Sequence, residues 1–424
     1  MTKRPSMSCR GLLLLAGILG FHAGLAAQEP STDTANDPHT VYLVTFGPGP
    51  HVWERFGHNA LWIRDTVTGR GVVYDYGRFN FEQEGFLWRF ARGQMAYWMG
   101  RTDGGGALID AYVRLGRSVV LQELSLDAAE RRHLQAALET NFAQDSGTYR
   151  YDYYRDNCST RIRDQIDVAV GGALRSYLAS TPSTLTLRDH TRRSLDNNLA
   201  IYFAAMSFLG PLADRPITAL EETFLPALLQ EHIRDVQIVD SSGASTPLVR
   251  NEIQIAESDG YSVPVEVPSR PDRVFGGLGL GLGALLLVLG LLARNSGAAR
   301  WGFLALMALW QVFVAVGALL ILWLWGLSDH VAAYRNLNVL HFSVAAVVLL
   351  ALTPGMMRGD AKRFRAGRTF ARLALVASAI GVVLAMLPML TQRFGDVSAL
   401  MFPAHAAVLV GLESLSRPVS SSPS

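Results

Sequence analysis

The sequence predicts an α+β soluble domain followed by an all-α bundle of transmembrane helices. Three observations predict it. Only 17% of the 424 residues are charged, and most of that charge lies before residue 274. Short runs of β-forming residues alternate with glycine- and proline-marked turns in the first half. Long apolar runs, each of a length suited to a membrane span, fill the second half.

Residues 1–27 read as a signal peptide. Lys3, Arg4 and Arg10 form a positive n-region, Gly11 to Gly20 an apolar core, and Gly24-Leu25-Ala26-Ala27 a small-residue cleavage site. The other reading is an uncleaved anchor, but this core is well short of the ~20 residues a span requires. Cys9 precedes the apolar core, so cleavage leaves Cys158 as the single cysteine. No internal disulfide is then possible. A lone thiol in an oxidising compartment is either a buried small side chain or a working nucleophile.

Residues 28–39 form a polar leader, 40–262 a mixed globular domain, and 263–274 a linker with prolines at 264, 268 and 271. In the domain, Val41–Phe46 is a strand broken by Gly47-Pro48-Gly49-Pro50. Asn59–Arg64 and Val72–Tyr76 form a hairpin across Asp65–Gly71, and Val119–Leu126 is a further strand. Asp127 caps a helix to Phe142 with Glu130 at the capping-box position. Asn157 caps a second helix carrying Ile162, Ile166 and Val170 on one face, and Gly171-Gly172 ends it.

The bundle, 275–412, divides into spans at 275–293, 301–327, 337–353, 371–390 and 398–412, with a tail at 413–424. The fifth is short and carries Pro403 and His405, so the bundle has four or five crossing helices. Arg294 and Arg300 follow the first span, and Arg358, Lys362, Arg363, Arg365 and Arg368 follow the third. Both clusters fall on the cytoplasmic side if the soluble domain is outside. Signal and loop charge agree on a multi-pass protein of the bacterial inner membrane with its N-terminal domain in the periplasm. The net charge of +2, with no basic, aromatic-interleaved stripe, gives no sign of a nucleic-acid partner.

Cys158 falls in the first turn of its helix, where free N–H groups and the helix dipole favour a thiolate. Its base must be a histidine. His133 and His190 read as solvated, His232 as structural and His39 as part of the leader. His58 opens a strand directly after Gly57 and is the best candidate. Asp75, on the paired strand, is the candidate to orient it; Tyr76 and a backbone carbonyl are rivals. Histidine on a strand followed by cysteine on a helix reverses the papain order and suits a circularly permuted papain-like core. No HExxH, CxxC, P-loop, GxGxxG or GxSxG motif occurs, so no metal or cofactor is expected.

The runs Phe56-Gly57-His58-Asn59-Ala60-Leu61-Trp62-Ile63, Tyr74-Asp75-Tyr76-Gly77-Arg78-Phe79-Asn80-Phe81 and Asp156-Asn157-Cys158-Ser159-Thr160 resemble the N-terminal periplasmic domain of the Lnb family, bacterial lipoprotein N-acyltransferases. The aromatic–glycine cadence of residues 86–100 fits as well, and the resemblance spans about residues 40–250. Asn157-Cys158 after a tyrosine-rich stretch also resembles permuted NlpC-type and lecithin-retinol-acyltransferase-type folds. The resemblance implies Cys158 as nucleophile and His58 as base. It implies membrane phospholipid and lipoprotein substrates, with the acyl chain carried as a thioester. Asp329, His330, Asn336 and Asn338 fall at the periplasmic rim of the bundle, where they either bind a lipid headgroup or brace the domain on its anchor. Two other functions use the same sequence: a thiol amidase or peptidase acting on peptidoglycan or envelope peptides, and a non-enzymatic binding module with Cys158 as a buried spacer.

Overall fold

The computed structural model describes residues 37–240, 243–387 and 392–415. The signal peptide, most of the polar leader and most of the tail lie outside them. The architecture is α+β: an antiparallel sheet domain followed by helices.

Strands β1 (His39–Phe46), β2 (His58–Asp65) and β3 (Gly71–Arg78) form an antiparallel meander. Asp65 Oδ1 accepts from the amides of Val67 and Thr68 at 2.8 and 3.0 Å, which folds the β2–β3 turn. Helix α1 (Phe86–Arg92) and strand β4 (Ala96–Asp103) follow, then α2 (Gly105–Arg114) and β5 (Val119–Leu124). Helix α3 (Ala128–Ala143), strand β6 (Tyr149–Arg150) and helix α4 (Cys158–Ala169) lead into the helices α5 (Ala173–Ser180), α6 (Leu187–Leu195), α7 (Leu199–Phe208), α8 (Ala219–Glu222) and α9 (Pro226–His232). The hairpin β7–β8 (Gln237–Val239, Ser245–Pro247) precedes β9 (Val249–Ala256). The main sheet runs β6-β4-β3-β2-β1-β5-β9.

Side chains alternate across this sheet. Val41, Leu43, Leu61, Ile63, Tyr74 and Tyr76 point to one core, which Leu134 and Leu138 of α3 and Ile162 and Ile166 of α4 complete. Val44, Ala60, Trp62 and Val73 point to the other, closed by Ile109 of α2.

Five strands, β4, β6, β7, β8 and β9, had no strand reading in the sequence. β4 follows α1 through Gly93, whose φ of +68° ends the helix and redirects the chain. β9 is an edge strand with most side chains exposed; its Val249, Ile253 and Ile255 do alternate with polar residues. The leader also ends earlier than expected, because His39 already opens β1.

Five helical segments are long and apolar enough to cross a membrane: 270–292, 297–326, 337–357, 361–385 and 395–414. They are α10 (Arg270–Leu292), α11 (Gly297–Gly326), a 3-10 turn Leu337–Leu340 leading into α12 (Ala345–Met357), α13 (Ala361–Ala385) and α14 (Gly395–Ser414). The first begins within the expected linker, since Pro271 in its first turn starts the helix rather than preventing it. The fifth is a 20-residue helix that continues through Pro403. Helices α10 and α14 touch at backbone distance: a Cβ on Gly279 would lie 2.2 Å from Ala399 O, and one on Gly290 2.5 Å from Gly411 Cα. Small residues permit this close packing where lipid supplies no hydrophobic drive.

The sheet domain sits on one end of the bundle. Tyr202 Oη donates to Asp396 Oδ2 at 2.6 Å, Arg393 pairs with Asp189 at 3.0 Å, and Gly210 N donates to Ala332 O at 2.7 Å. The bundle groups here come from the loops that the charge rule puts outside, or from the helix end adjoining them.

Candidate functional site

His58 and Asp75 share one face of the sheet, because the β2–β3 register sets Ala60 opposite Asp75 and His58 falls at the open end of the pair. His58 Nε2 lies 3.1 Å from Asp75 Oδ2, with the N–H donating to the carboxylate. That leaves Nδ1 as the ring nitrogen free for another partner. Arg78 grips the same carboxylate, with Nη2 and Nε at 2.7 and 3.0 Å from Oδ1, and its Nη2 also reaches Thr102 Oγ1 at 2.8 Å. Arg78 faces Asp75 only because β3 bulges at Gly77. Gly100 makes room, since a Cβ there would lie 1.8 Å from Arg78 Nε.

Cys158 comes to His58 from the other side. It opens α4 and is half-buried. Gly77 has φ +92°, and a Cβ added there would lie 3.2 Å from the Cys158 Cβ. A glycine is required both by this backbone conformation and by this close approach. Asn157 pins the helix start. Its Oδ1 accepts from the amides of Ser159 and Thr160 at 2.9 Å, and its Nδ2 donates to Tyr153 O and Phe224 O at 2.9 and 2.8 Å. Ser159 Oγ adds a bond to Thr223 O at 2.6 Å.

The electrostatics follow from this geometry. Burial pulls the His58 pKa down, but the charges of Tyr112 and Cys158 and the hydrogen bonds to Asp75 and Cys158 outweigh it, so His58 holds its proton well above the usual range. Burial pushes the Asp75 carboxyl up, but His58 and Arg78 outweigh it and hold Asp75 below its usual range. The Tyr112 ring of α2 lies parallel to His58 with centroids 6.2 Å apart, and the Arg117 guanidinium sits over Tyr112 at 4.6 Å.

The structure therefore sets Cys158 beside the His58–Asp75 pair. Tyr76, the rival to Asp75, turns the other way: it is buried in the opposite core and donates to Asn141 Oδ1 at 2.9 Å. Asn157 serves as a cap rather than facing the cleft. Arg78, Tyr112 and Arg117 escaped the sequence reading. The glycine at 77, inside a β-forming run, was the signal for the bulge that brings Arg78 in; nothing local marked Tyr112 or Arg117.

The rim residues brace the domain. Asp329 pairs with Arg150 at 2.8 Å and accepts from Gln94 at 2.9 Å. His330 Nε2 donates to Phe90 O at 2.7 Å and Nδ1 accepts from Tyr153 Oη at 2.9 Å. Asn336 and Asn338 are buried and donate to Ser207 O at 2.8 and 2.9 Å.

His190 corrects its expected placement. It is buried, with Nε2 2.8 Å from Glu222 Oε1, while His232 reaches Glu222 Oε2 at 3.0 Å. Its charged neighbours misled, because Arg188 is itself buried against Asp214 at 2.8 Å. Burial pushes Glu222 up, yet hydrogen bonds from His190, His232 and Ser183 hold its pKa at about 2. Among the described residues, no group of three or more His, Cys, Asp or Glu side chains is arranged to hold a metal ion.

A sheet domain that sets cysteine, histidine and carboxylate side by side, followed by five candidate spans, describes a membrane protein with a candidate thiol site. Residues 27–193 match the family described as the Lnb N-terminal periplasmic domain. The matched stretch contains His58, Asp75 and Cys158, and it supports an Lnb-type N-terminal periplasmic domain. No curated protein and no solved structure matches the chain.

Proposed function

We propose that this protein is a membrane-anchored, cysteine-dependent acyltransferase that moves an acyl chain from a membrane phospholipid to the amino terminus of a lipoprotein. The observation that carries the reading is Cys158 at the start of α4 beside the His58–Asp75 pair. His58 takes the Cys158 thiol proton as the sulfur attacks the ester carbonyl of the lipid. The tetrahedral oxyanion is met by the Cys158 N–H, the first amide of α4 and one that Asn157 does not cap. As it collapses, the C–O bond breaks, His58 gives its proton to the departing lysophospholipid oxygen, and a thioester remains on Cys158. The lipoprotein amine then attacks the thioester carbonyl, the C–S bond breaks, and His58 takes the amine proton. His58 returns that proton to the leaving sulfur, so the products are an amide and the original thiol, and atoms balance without a cofactor.

Donor and acceptor both lie at the periplasmic leaflet of the inner membrane, which suits a site on the outer end of a multi-pass bundle. The fold is read as a circularly permuted papain-like core, supported by the order of His58 on a strand before Cys158 on a helix. The test supplies the full-length protein, in phospholipid vesicles, with a diacylated peptide bearing a free N-terminal cysteine. The account expects N-acyl peptide and lysophospholipid in equal amounts. Free fatty acid with no acylated peptide would mean that water is the acceptor and the protein a hydrolase. Neither product would leave a binding module.

A further inference from the structure

Helix α1 is apolar without belonging to a core. Leu87, Trp88 and Phe90 are 80, 56 and 46% exposed, and the adjoining Phe81 is 56% exposed. A contiguous apolar patch of this kind marks an interaction surface. Its position says with what. Trp323 Nε1, near the outer end of α11, donates to Ala91 O at 3.0 Å, and the Trp88 and Trp323 rings meet edge to face at 5.4 Å. Asp329 N donates to Arg92 O at 2.8 Å. The 30 residues of α11 rise ~45 Å against a hydrocarbon core of ~30 Å, so its Trp323 end lies in the interface, where tryptophan concentrates. Helix α1 therefore lies at the level of the periplasmic leaflet, and Arg89 and Arg92 in its last turn complement lipid phosphate.

A file of rings runs inward from it. Phe81 meets Phe86 at 5.2 Å and Phe79 at 4.9 Å; Phe79 stacks on Tyr97 at 4.9 Å, and Tyr97 on Tyr151 at 4.2 Å. Tyr151 and Cys158 pack on the same core. We propose that α1 is an in-plane membrane helix embedded in the acyl region of the periplasmic leaflet, and that the Phe79–Tyr97–Tyr151 file guides a phospholipid acyl chain from that leaflet to Cys158. The second half rests on the acyl-transfer reading; the first does not.

The test uses full-length protein in vesicles of phosphatidylethanolamine and phosphatidylglycerol. A photoreactive benzoylphenylalanine replaces Leu87, or Leu319 on α11, or Val67 at the tip of the β2–β3 turn. After irradiation, mass spectrometry should find phospholipid adducts at positions 87 and 319 and none at 67. Adducts at 319 alone, or protein-only crosslinks at 87, would overturn the membrane seat and mark α1 as a protein-docking surface. A Trp88→Glu variant should lose tenfold or more of its rate on vesicle lipid relative to its rate on a dispersed short-chain ester. Equal loss on both substrates would overturn the guiding file. A wild-type protein that never acylates Cys158 yet labels at 87 would retire the acyl-transfer reading, and the guiding file with it, while leaving the membrane seat standing.

Discussion

At the residue scale the account rests on three side chains and one glycine. Asp75→Asn keeps the shape but removes the charge that supports imidazolium at His58; turnover should fall by about 10²–10⁴, the range of general acid–base catalysis. His58→Gln should slow iodoacetamide alkylation of Cys158 at neutral pH, since the neighbouring imidazolium is gone; an unchanged rate would contradict the pairing. His58 also sets a pH dependence. Its folded pKa lies above its unfolded value of ~6.5, so the stability it contributes is complete below that pH and is lost as pH rises through the folded value. The melting-temperature gap between wild type and His58→Gln should therefore narrow from pH 6 upward. A gap that widens would show that His58 is held neutral. Gly77→Ala places a methyl against Cys158 in a backbone conformation unfavourable to alanine. It should cost about 100-fold in rate, as expected of an ångström-scale misplacement, with the fold intact by circular dichroism.

At the element scale, the start of α4 is held by several buried hydrogen bonds. Asn157 satisfies two first-turn amides and ties them to Tyr153 and Phe224. Asn157→Ala should lower stability by about 1–2 kcal/mol and lower activity more than stability, measured by thermal unfolding beside turnover. Glu222, buried under two histidines near the Thr223 and Phe224 carbonyls that hold α4, is the deeper brace. Glu222→Gln should cost about 1–3 kcal/mol, the scale of disrupting buried hydrogen bonds to a carboxylate. The α4 cap, the Asp127 cap of α3 and the β2–β3 hairpin were legible in the sequence because each is coded locally, by a capping residue or a turn bracketed by β-formers. Helix α1, strand β4 and edge strand β9 were not. Most side chains of α1 and β9 are exposed rather than packed in a core, and the alternation that β9 does carry escaped the sequence reading.

At the scale of the whole molecule, the domain and its bundle form one mechanical unit joined by polar contacts at the outer loops. Asp329, His330, Asn336 and Asn338 spend their hydrogen bonds on Arg150, Gln94, Tyr153, Phe90 and Ser207. An Asp329→Ala/His330→Ala double variant should express normally yet lose activity on vesicle lipid, because the cleft is no longer held over the leaflet. A fully active double variant would reduce the bundle to an anchor. The spans were legible from length and hydropathy, and the Cys158–His58–Asp75 candidates from residue chemistry and hairpin pairing. Arg78, Tyr112 and Arg117 were not, because a bulge and two separate elements bring them in. The central claim is tested most directly by the intact mass of the full-length protein after incubation with phosphatidylethanolamine vesicles. The account predicts a gain of one acyl chain, located on Cys158, released by neutral hydroxylamine and absent from Cys158→Ala. No mass gain on folded wild-type protein, or an adduct that persists in Cys158→Ala, would contradict it.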